Sequence, residues 1–222
     1  MWQYRPANTR GNMKKSWIES RRTFSNNDYW NSKYMNWGDL QVINDDVLQP
    51  GALVPNHEHN NMEIFGYVVD GPCDHVDNLG NKASVPSGAI QRMSAGSSIW
   101  HTEGNSSTEP IRYLQLWIQP SVENTRPEWM WKQFTREDKL NKFCNITESI
   151  PIKQDARLLS GIFTEPFTYE LDPQRRYYMY VVKGTVKVEH LKMKEGDGLC
   201  CRGESELNIT EADCEVILFN LR

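Results

Sequence analysis

The 222-residue chain has five histidines, and three of them fall in two short pairs, His57-Glu58-His59 and His101-Thr102-Glu103. On a strand, residues i and i+2 share a face and stand about 6.6 Å apart along the chain. On a helix the same spacing turns the two side chains almost opposite ways. Two such pairs on neighbouring strands, both facing inward, would offer three nitrogens and one oxygen to a single divalent metal ion. Four protein ligands leave one or two positions of an octahedral ion open, which is what distinguishes a catalytic from a closed structural site. Glu58 and Thr102, of the opposite parity, are expected to face solvent or the shell around the ligands. Glu63 shares the parity of His57 and His59. It is read as a hydrogen-bond partner behind the ligands, with a fifth ligand as the alternative.

The elements that must position these residues are strands. His59 leads into Ile64-Phe65-Gly66-Tyr67-Val68-Val69, a β-branched and aromatic run that Asp70-Gly71 closes as a turn. Short apolar runs then alternate with Asp70-Gly71-Pro72, Asn78-Leu79-Gly80-Asn81, Pro86-Ser87-Gly88 and Ala95-Gly96, a spacing that predicts a sandwich or barrel. Arg112–Ile118 reads as a further barrel strand. Leu40–Asn44 reads as another, closed by a turn or bulge at Asn44-Asp45-Asp46. Residues 1 to 35 are polar with scattered rings and read as an ordered wrap over a sheet. Glu128 to Leu140 reads as a connector with a short helix. Trp37, Phe65, Met93 and Trp100 are candidates for the pocket wall, although such residues more often serve as core.

Tyr67-Val68-Val69-Asp70-Gly71 recurs as Tyr180-Val181-Val182-Lys183-Gly184, and Val85-Pro86-Ser87-Gly88 has a counterpart in Met193-Lys194-Glu195-Gly196. The echo implies a duplicated β-barrel unit. Transferring the first spacing puts Glu170 and Asp172 where His57 and His59 stood, and only His190 remains in that half. The expected organisation is therefore all-β: a barrel over residues 1–133 that carries the metal site, and a second over 134–222 without metal ligands. Cys200, Cys201 and Cys214 give little support to a zinc site, since adjacent strand residues face opposite ways and no Cys-x-x-Cys occurs.

The formal net charge is −4 and the pI near 5.8, with neither a basic block nor an acidic tail, so nucleic acid is not an electrostatically favoured partner. No apolar run follows Met1-Trp2-Gln3-Tyr4-Arg5-Pro6 that could act as a signal peptide, and no stretch has the length of a membrane span. Five cysteines without framework spacing fit a reducing compartment. A cytoplasmic protein is expected.

Gly51, five residues, His57-x-His59, three residues, Glu63 and then Gly71 resemble the first motif of the cupins. Gly80, five residues and Pro86-x-Gly88 resemble the start of the second, but its usual histidine falls near position 91, which is Gln91. The third imidazole must then come from elsewhere, and His101 is the candidate. That displacement resembles the pirin family. So do Arg5-Pro6-Ala7-Asn8-Thr9-Arg10-Gly11, Thr23-Phe24-Ser25, Val42-Ile43-Asn44-Asp45-Asp46, Met62-Glu63-Ile64, Asp77-Asn78-Leu79-Gly80-Asn81-Lys82 and Met93-Ser94-Ala95-Gly96. The nearest resemblance is to the short bacterial pirin-like quercetin 2,3-dioxygenases.

This resemblance implies a bicupin of two jelly-roll barrels with one divalent transition metal ion in the amino-terminal barrel, held by His57, His59, His101 and Glu103. Iron(II) comes first, then nickel, cobalt, copper, manganese or zinc. The implied activity is ring opening of a flavonol or similar planar enol by dioxygen with release of carbon monoxide, Glu103 taking the proton of the 3-hydroxyl. The alternative is a non-enzymatic, metal-dependent regulator or redox sensor that binds a protein partner. Arg22, Asn26 and Pro55-Asn56 depart from the family pattern without touching a ligand position.

Overall fold

The computed structural model describes all 222 residues, and strands dominate it. In chain order these are β1 (Trp2–Arg5), β2 (Gly11–Lys14), β3 (Ile18–Arg22), β4 (Leu40–Leu48), β5 (Leu53–His59), β6 (Glu63–Asp70), β7 (Pro72–Asp77), β8 (Lys82–Pro86), β9 (Ala89–Ser94), β10 (Ile99–Gly104), β11 (Ile111–Ile118) and β12 (Glu128–Gln133). After the one-turn helix α1 (Arg136–Lys139) come β13 (Phe143–Asn145), the equally short α2 (Ile146–Ser149), β14 (Arg157–Phe163), β15 (Phe167–Glu170), β16 (Arg176–Val188), β17 (Leu191–Lys194), β18 (Gly198–Arg202) and β19 (Glu206–Leu221). A capping box starts α1, with Thr135 and Asp138 exchanging side-chain-to-backbone hydrogen bonds. No helix is long and apolar enough to cross a membrane.

The chain divides into two compact units. One comprises residues 11–134 with 152–154, the other 1–10, 135–151 and 155–222. The reading of residues 1–133 as one domain placed the first ten residues in the first barrel. They belong to the second unit, because β1 pairs antiparallel with β18 from Trp2↔Cys201 to Arg5↔Gly198. Beyond them, β2 and β3 extend a sheet in register where a wrap over the sheet was expected.

In the amino-terminal unit a four-stranded sheet, β5-β10-β7-β8, and a seven-stranded sheet, β12-β9-β6-β11-β4-β3-β2, form the barrel. Strand alternation gives each sheet one inward face. At one end of the barrel that face is apolar: Ile18, Leu48, Val68, Cys73, Val85 and Ile111 pack together at 7% exposure or less. Asn44-Asp45-Asp46 lies in the middle of β4 rather than in a closing turn. Asp45 faces out to a two-point ion pair with Arg112 (2.8 and 2.9 Å). Asn44 and Asp46 stand opposite Gln115 and Tyr113, on the inward face.

In the carboxy-terminal unit one eight-stranded sheet curves on β16 and β19, which pair over most of their length with register shifts at Val181/Lys183 and Lys187/Val188. The echoed Gly184 (φ +78°) sits beside the first shift, where β16 bends without a turn. Leu159, Phe163, Met179, Val181, Val216 and Leu218 fill the interior. Glu170 and Asp172 are exposed. Cys201 and Cys214 belong to that apolar core, and burial pushes the thiols of Cys200 and Cys201 up to about 12 and that of Cys214 to about 11.

Candidate metal centre

β10 lies between β5 and β7, and the register brings three i, i+2 pairs onto one face. His101 is opposite His57 on one side and Asp77 on the other, while Glu103 is opposite His75. The imidazoles of His57, His59 and His101 converge, with ring centroids 4.5–5.1 Å apart and their ligand atoms within 4.8 Å of one another. His57 Nδ1 lies 2.8 Å from the carbonyl oxygen of Pro55. A carbonyl can only accept, so this nitrogen carries the proton and Nε2 keeps its lone pair. That lone pair faces His101 Nε2 at 3.1 Å. Burial, then the neighbouring imidazoles, lowers the pKa of both His59 and His101 to about 3, which keeps these rings neutral. Imidazoles whose ligand atoms converge in this way are the donor set of a borderline metal ion, so the residues present fit one.

Behind this cluster lies a buried polar layer organised on Glu103, which is 4% exposed. Its Oε1 accepts from Gln91 Nε2 (2.8 Å), and its Oε2 from Tyr113 Oη and Gln115 Nε2 (both 3.1 Å). Each amide is oriented in turn by an indole: Trp129 Nε1 donates to Gln91 Oε1 (3.0 Å) and Trp117 Nε1 to Gln115 Oε1 (3.3 Å). An indole N–H can only donate, so each amide oxygen must face its indole and each amide N–H must face Glu103. Gly66 stands between Gln115 and Gln91 in the register. A Cβ there would meet Gln91 Nε2 at 2.8 Å, so the bare backbone makes room for the amide. Burial raises the Glu103 pKa against the pull of His75, Tyr113, His57 and Gln91, giving a stronger base than an ordinary carboxylate. Beneath it, burial raises Asp46 to about 7, with Asp45 and Glu103 adding to the rise and the Ser20 hydrogen bond opposing it.

His57, His59 and His101 thus meet as their spacing predicts, while the Glu103 carboxylate comes within 4.8 Å of the ligand atoms of His101 and His75. Glu63 does not join them. The chain turns at Asn60-Asn61-Met62, with Asn61 at φ +45°, and passes from the four-stranded to the seven-stranded sheet, so parity is not carried across. Glu63 faces away from the barrel interior and accepts from Ser94 Oγ (2.6 Å), which in turn accepts from Arg92 (2.6 Å). Phe65 lies on that same outer face, opposite to Ile64 and Gly66. Trp100 alternates away from His101 and is 42% exposed. Trp37, half-buried, bridges to Leu40 through its backbone and makes no ring contact with the histidines. Met93 faces the interior, packed with Ile64, Ile99, Trp117 and Trp129.

Five residues that shape the site were not singled out from the sequence, among them Tyr113 and Gln115, which hold Glu103. Trp117 meets the edge of His59 at 5.0 Å, and Trp129 stacks on His75 at 4.5 Å and 10°. His75 was legible by the rule applied to the other pairs, because His75-Val76-Asp77 is a third i, i+2 pair and, after His101-Thr102-Glu103, the second to join an imidazole to a carboxylate.

Residues 4–118 match the family model described as Pirin, and residues 145–221 the one described as Quercetinase C-terminal cupin domain. A pirin-like protein of Caulobacter vibrioides is 36% identical, over 96% of this chain and 97% of its own length. A quercetin 2,3-dioxygenase of Escherichia coli K12 is 35% identical, over 98% and 97%. The crystal structure of the Escherichia coli bacterial pirin YhhW in complex with nickel(II) superposes with a TM-score of 0.93 at 33% identity, covering 100% of this chain and 99% of that one. Sequence, motif order and fold agree over the whole length, and the chain belongs to the pirin family as a two-barrel, all-β bicupin.

Proposed function

We propose that this protein is a metal-dependent dioxygenase that opens a flavonol such as quercetin with dioxygen and releases carbon monoxide. The observation that carries the reading is the convergence of three imidazoles in front of a buried carboxylate fixed by three donors. The naming of a 35%-identical relative as a quercetin 2,3-dioxygenase and the nickel(II) complex of YhhW support it. His57, His59, His101 and Glu103 would hold one divalent ion. When bound, that ion supplies Lewis-acid stabilisation of the substrate's oxyanion and a meeting point for substrate and dioxygen.

The chain's own residues do the rest. Glu103 receives the proton of the 3-hydroxyl on a carboxylate oxygen, its basicity raised by burial and its position fixed by Gln91, Gln115 and Tyr113. Trp117, half-buried against the edge of His59 and backed by the packed side chains of Met93, Ile64 and Ile99, is the apolar ring beside the imidazoles against which a planar substrate would lie.

The test is consumption of dioxygen and release of carbon monoxide by the metal-loaded protein with quercetin, followed by the same assay on Glu103→Gln. The variant keeps one oxygen for the ion but cannot take a proton, and it should lose far more turnover than metal. A wild-type protein that bleaches no flavonol with iron, nickel, copper, cobalt or manganese ends this reading and favours a metal-dependent regulator. A fully active Glu103→Gln removes Glu103 as the base.

A further inference from the structure

Beside the three-imidazole cluster the barrel holds a second convergent set, in which His101 and Glu103 meet a histidine that the chemistry above does not use. His75, on β7, is 1% exposed. Its Nε2 lies 3.2 Å from Asp77 Oδ2. The Asp77 carboxylate accepts from the backbone N–H groups of Leu79 and Asn81 and from the Asn81 side chain. Asp77 thus takes up one ring nitrogen of His75, and the other, Nδ1, is the one left for a ligand. That nitrogen is buried and has no hydrogen-bond partner. Acceptors at such depth are nearly always satisfied in folded proteins. The Asp77 contact and the stack on Trp129 fix the ring, so it cannot turn to find a donor.

The ligand atoms of His75, His101 and Glu103 lie within 4.8 Å of one another, and all three residues are buried. A carboxylate on the far nitrogen of an imidazole is the arrangement that orients metal-binding histidines. Glu103 contacts only the neutral donors Gln91, Tyr113 and Gln115, so no side-chain cation offsets its charge. His101 presents Nε2 to His57 and has a second buried nitrogen, Nδ1, without a partner.

We propose that His75, His101 and Glu103 form a second, inner position for a divalent transition metal ion, sharing His101 and Glu103 with the outer position. A neutral imidazole has only one lone pair, so the two positions are alternatives for one ion rather than seats for a pair. The outer position, with His57 and His59 half-exposed, is where an ion arrives, and the inner one keeps His101 and Glu103 and exchanges those two imidazoles for the buried imidazole of His75. The inference concerns metal binding alone and does not depend on flavonol turnover.

The experiment disables the outer position and titrates with Co(II), followed by calorimetry and by visible absorption, with folding checked by circular dichroism. The double variant His57→Ala/His59→Ala should still bind one Co(II) per chain, more weakly than wild type. Adding His75→Phe, which keeps a ring against Trp129 but offers no lone pair, should lower that affinity at least tenfold. Should the alanine pair fail to fold, His57→Asn/His59→Asn serves the same comparison. Nitrogen-15 spectra of the histidine rings in the outer-site variant give a second reading, in which Zn(II) should move the His75 Nδ1 signal from that of a free to that of a ligated nitrogen. A double variant that folds but binds no Co(II), an affinity indifferent to His75→Phe, or an unmoved His75 signal would overturn the proposal.

Discussion

Asp46→Asn tests whether the floor of the site carries the charge distribution described. Asp46 is 3% exposed on the inward face of β4, beneath Glu103, and its pKa stands at about 7 against an ordinary 3.8. A raised acid favours the protonated form in the folded state, so the folded protein binds more protons than the unfolded one between these two values. Stability from this group is therefore lost as pH rises through that window. A shift of about three units corresponds to about 4 kcal/mol once pH exceeds both values, and to less than half of that at pH 5.

Asparagine keeps the shape and an oxygen for Ser20 but cannot ionise. On metal-free protein, the stability of Asp46→Asn relative to wild type should rise by roughly 2–3 kcal/mol between pH 5 and pH 8, measured by chemical denaturation at unchanged denaturant dependence. The comparison has to be between variant and wild type, because His59 and His101 act with the opposite sign. Their folded pKa values are depressed, so they add stability as pH climbs toward 6.5, and they do so equally in both proteins. A difference between the two proteins that stays flat across this range would show that Asp46 does not change ionisation in the fold there.

Trp129→Phe keeps the stack on His75 but removes the only donor to Gln91 Oε1, and the unmet buried acceptor should cost about 1–3 kcal/mol in chemical denaturation. An unaffected midpoint would mean that the indole does not orient Gln91. Glu63→Gln should leave metal content at the wild-type value, because Glu63 points to Ser94 and Arg92 on the outer face; loss of metal measured by mass spectrometry would return Glu63 to the ligand set. In metal-free protein the ring signals of His59 and His101 should not titrate between pH 8 and pH 5, since burial and neighbouring imidazoles hold both at about 3. A midpoint near 6.5 for either ring, read by nuclear magnetic resonance, would dissolve the packed cluster in solution.

The period of two and the turn residues were enough to read an all-β architecture, and the i, i+2 pairs enough to bring His57, His59 and His101 together. What failed was the continuation of parity through Asn60–Met62. Nothing local in that segment says that the chain leaves one sheet for another, so Glu63 and Phe65 were placed on the wrong face. The first ten residues escaped for a related reason. An edge strand such as Trp2–Arg5 carries the same local pattern whichever sheet it joins, and its partner β18 lies almost two hundred residues away.

The other misreadings fall on the polar layer, and they share one physical cause. Asn-Asp-Asp is rightly a turn signal when its side chains must find water or their own backbone. In β4 Arg112 meets that need for Asp45, whereas Asn44 Oδ1 and Asp46 Oδ1 stay buried without a partner, so it is the pairing of β4 with β3 and β11 on both sides that makes the strand run on. Trp129 looked like part of a connector because its neighbours are charged, yet it forms the outer end of a chain of donors that terminates on Glu103. Gln91, which takes the place of a motif histidine, became intelligible only once its amide was seen between that indole and that carboxylate. A buried carboxylate imposes acceptor and donor directions on every residue around it, and those directions override local propensity over this part of the barrel. The residues whose types looked wrong for their predicted elements are the ones through which the fold sets the direction and basicity of Glu103.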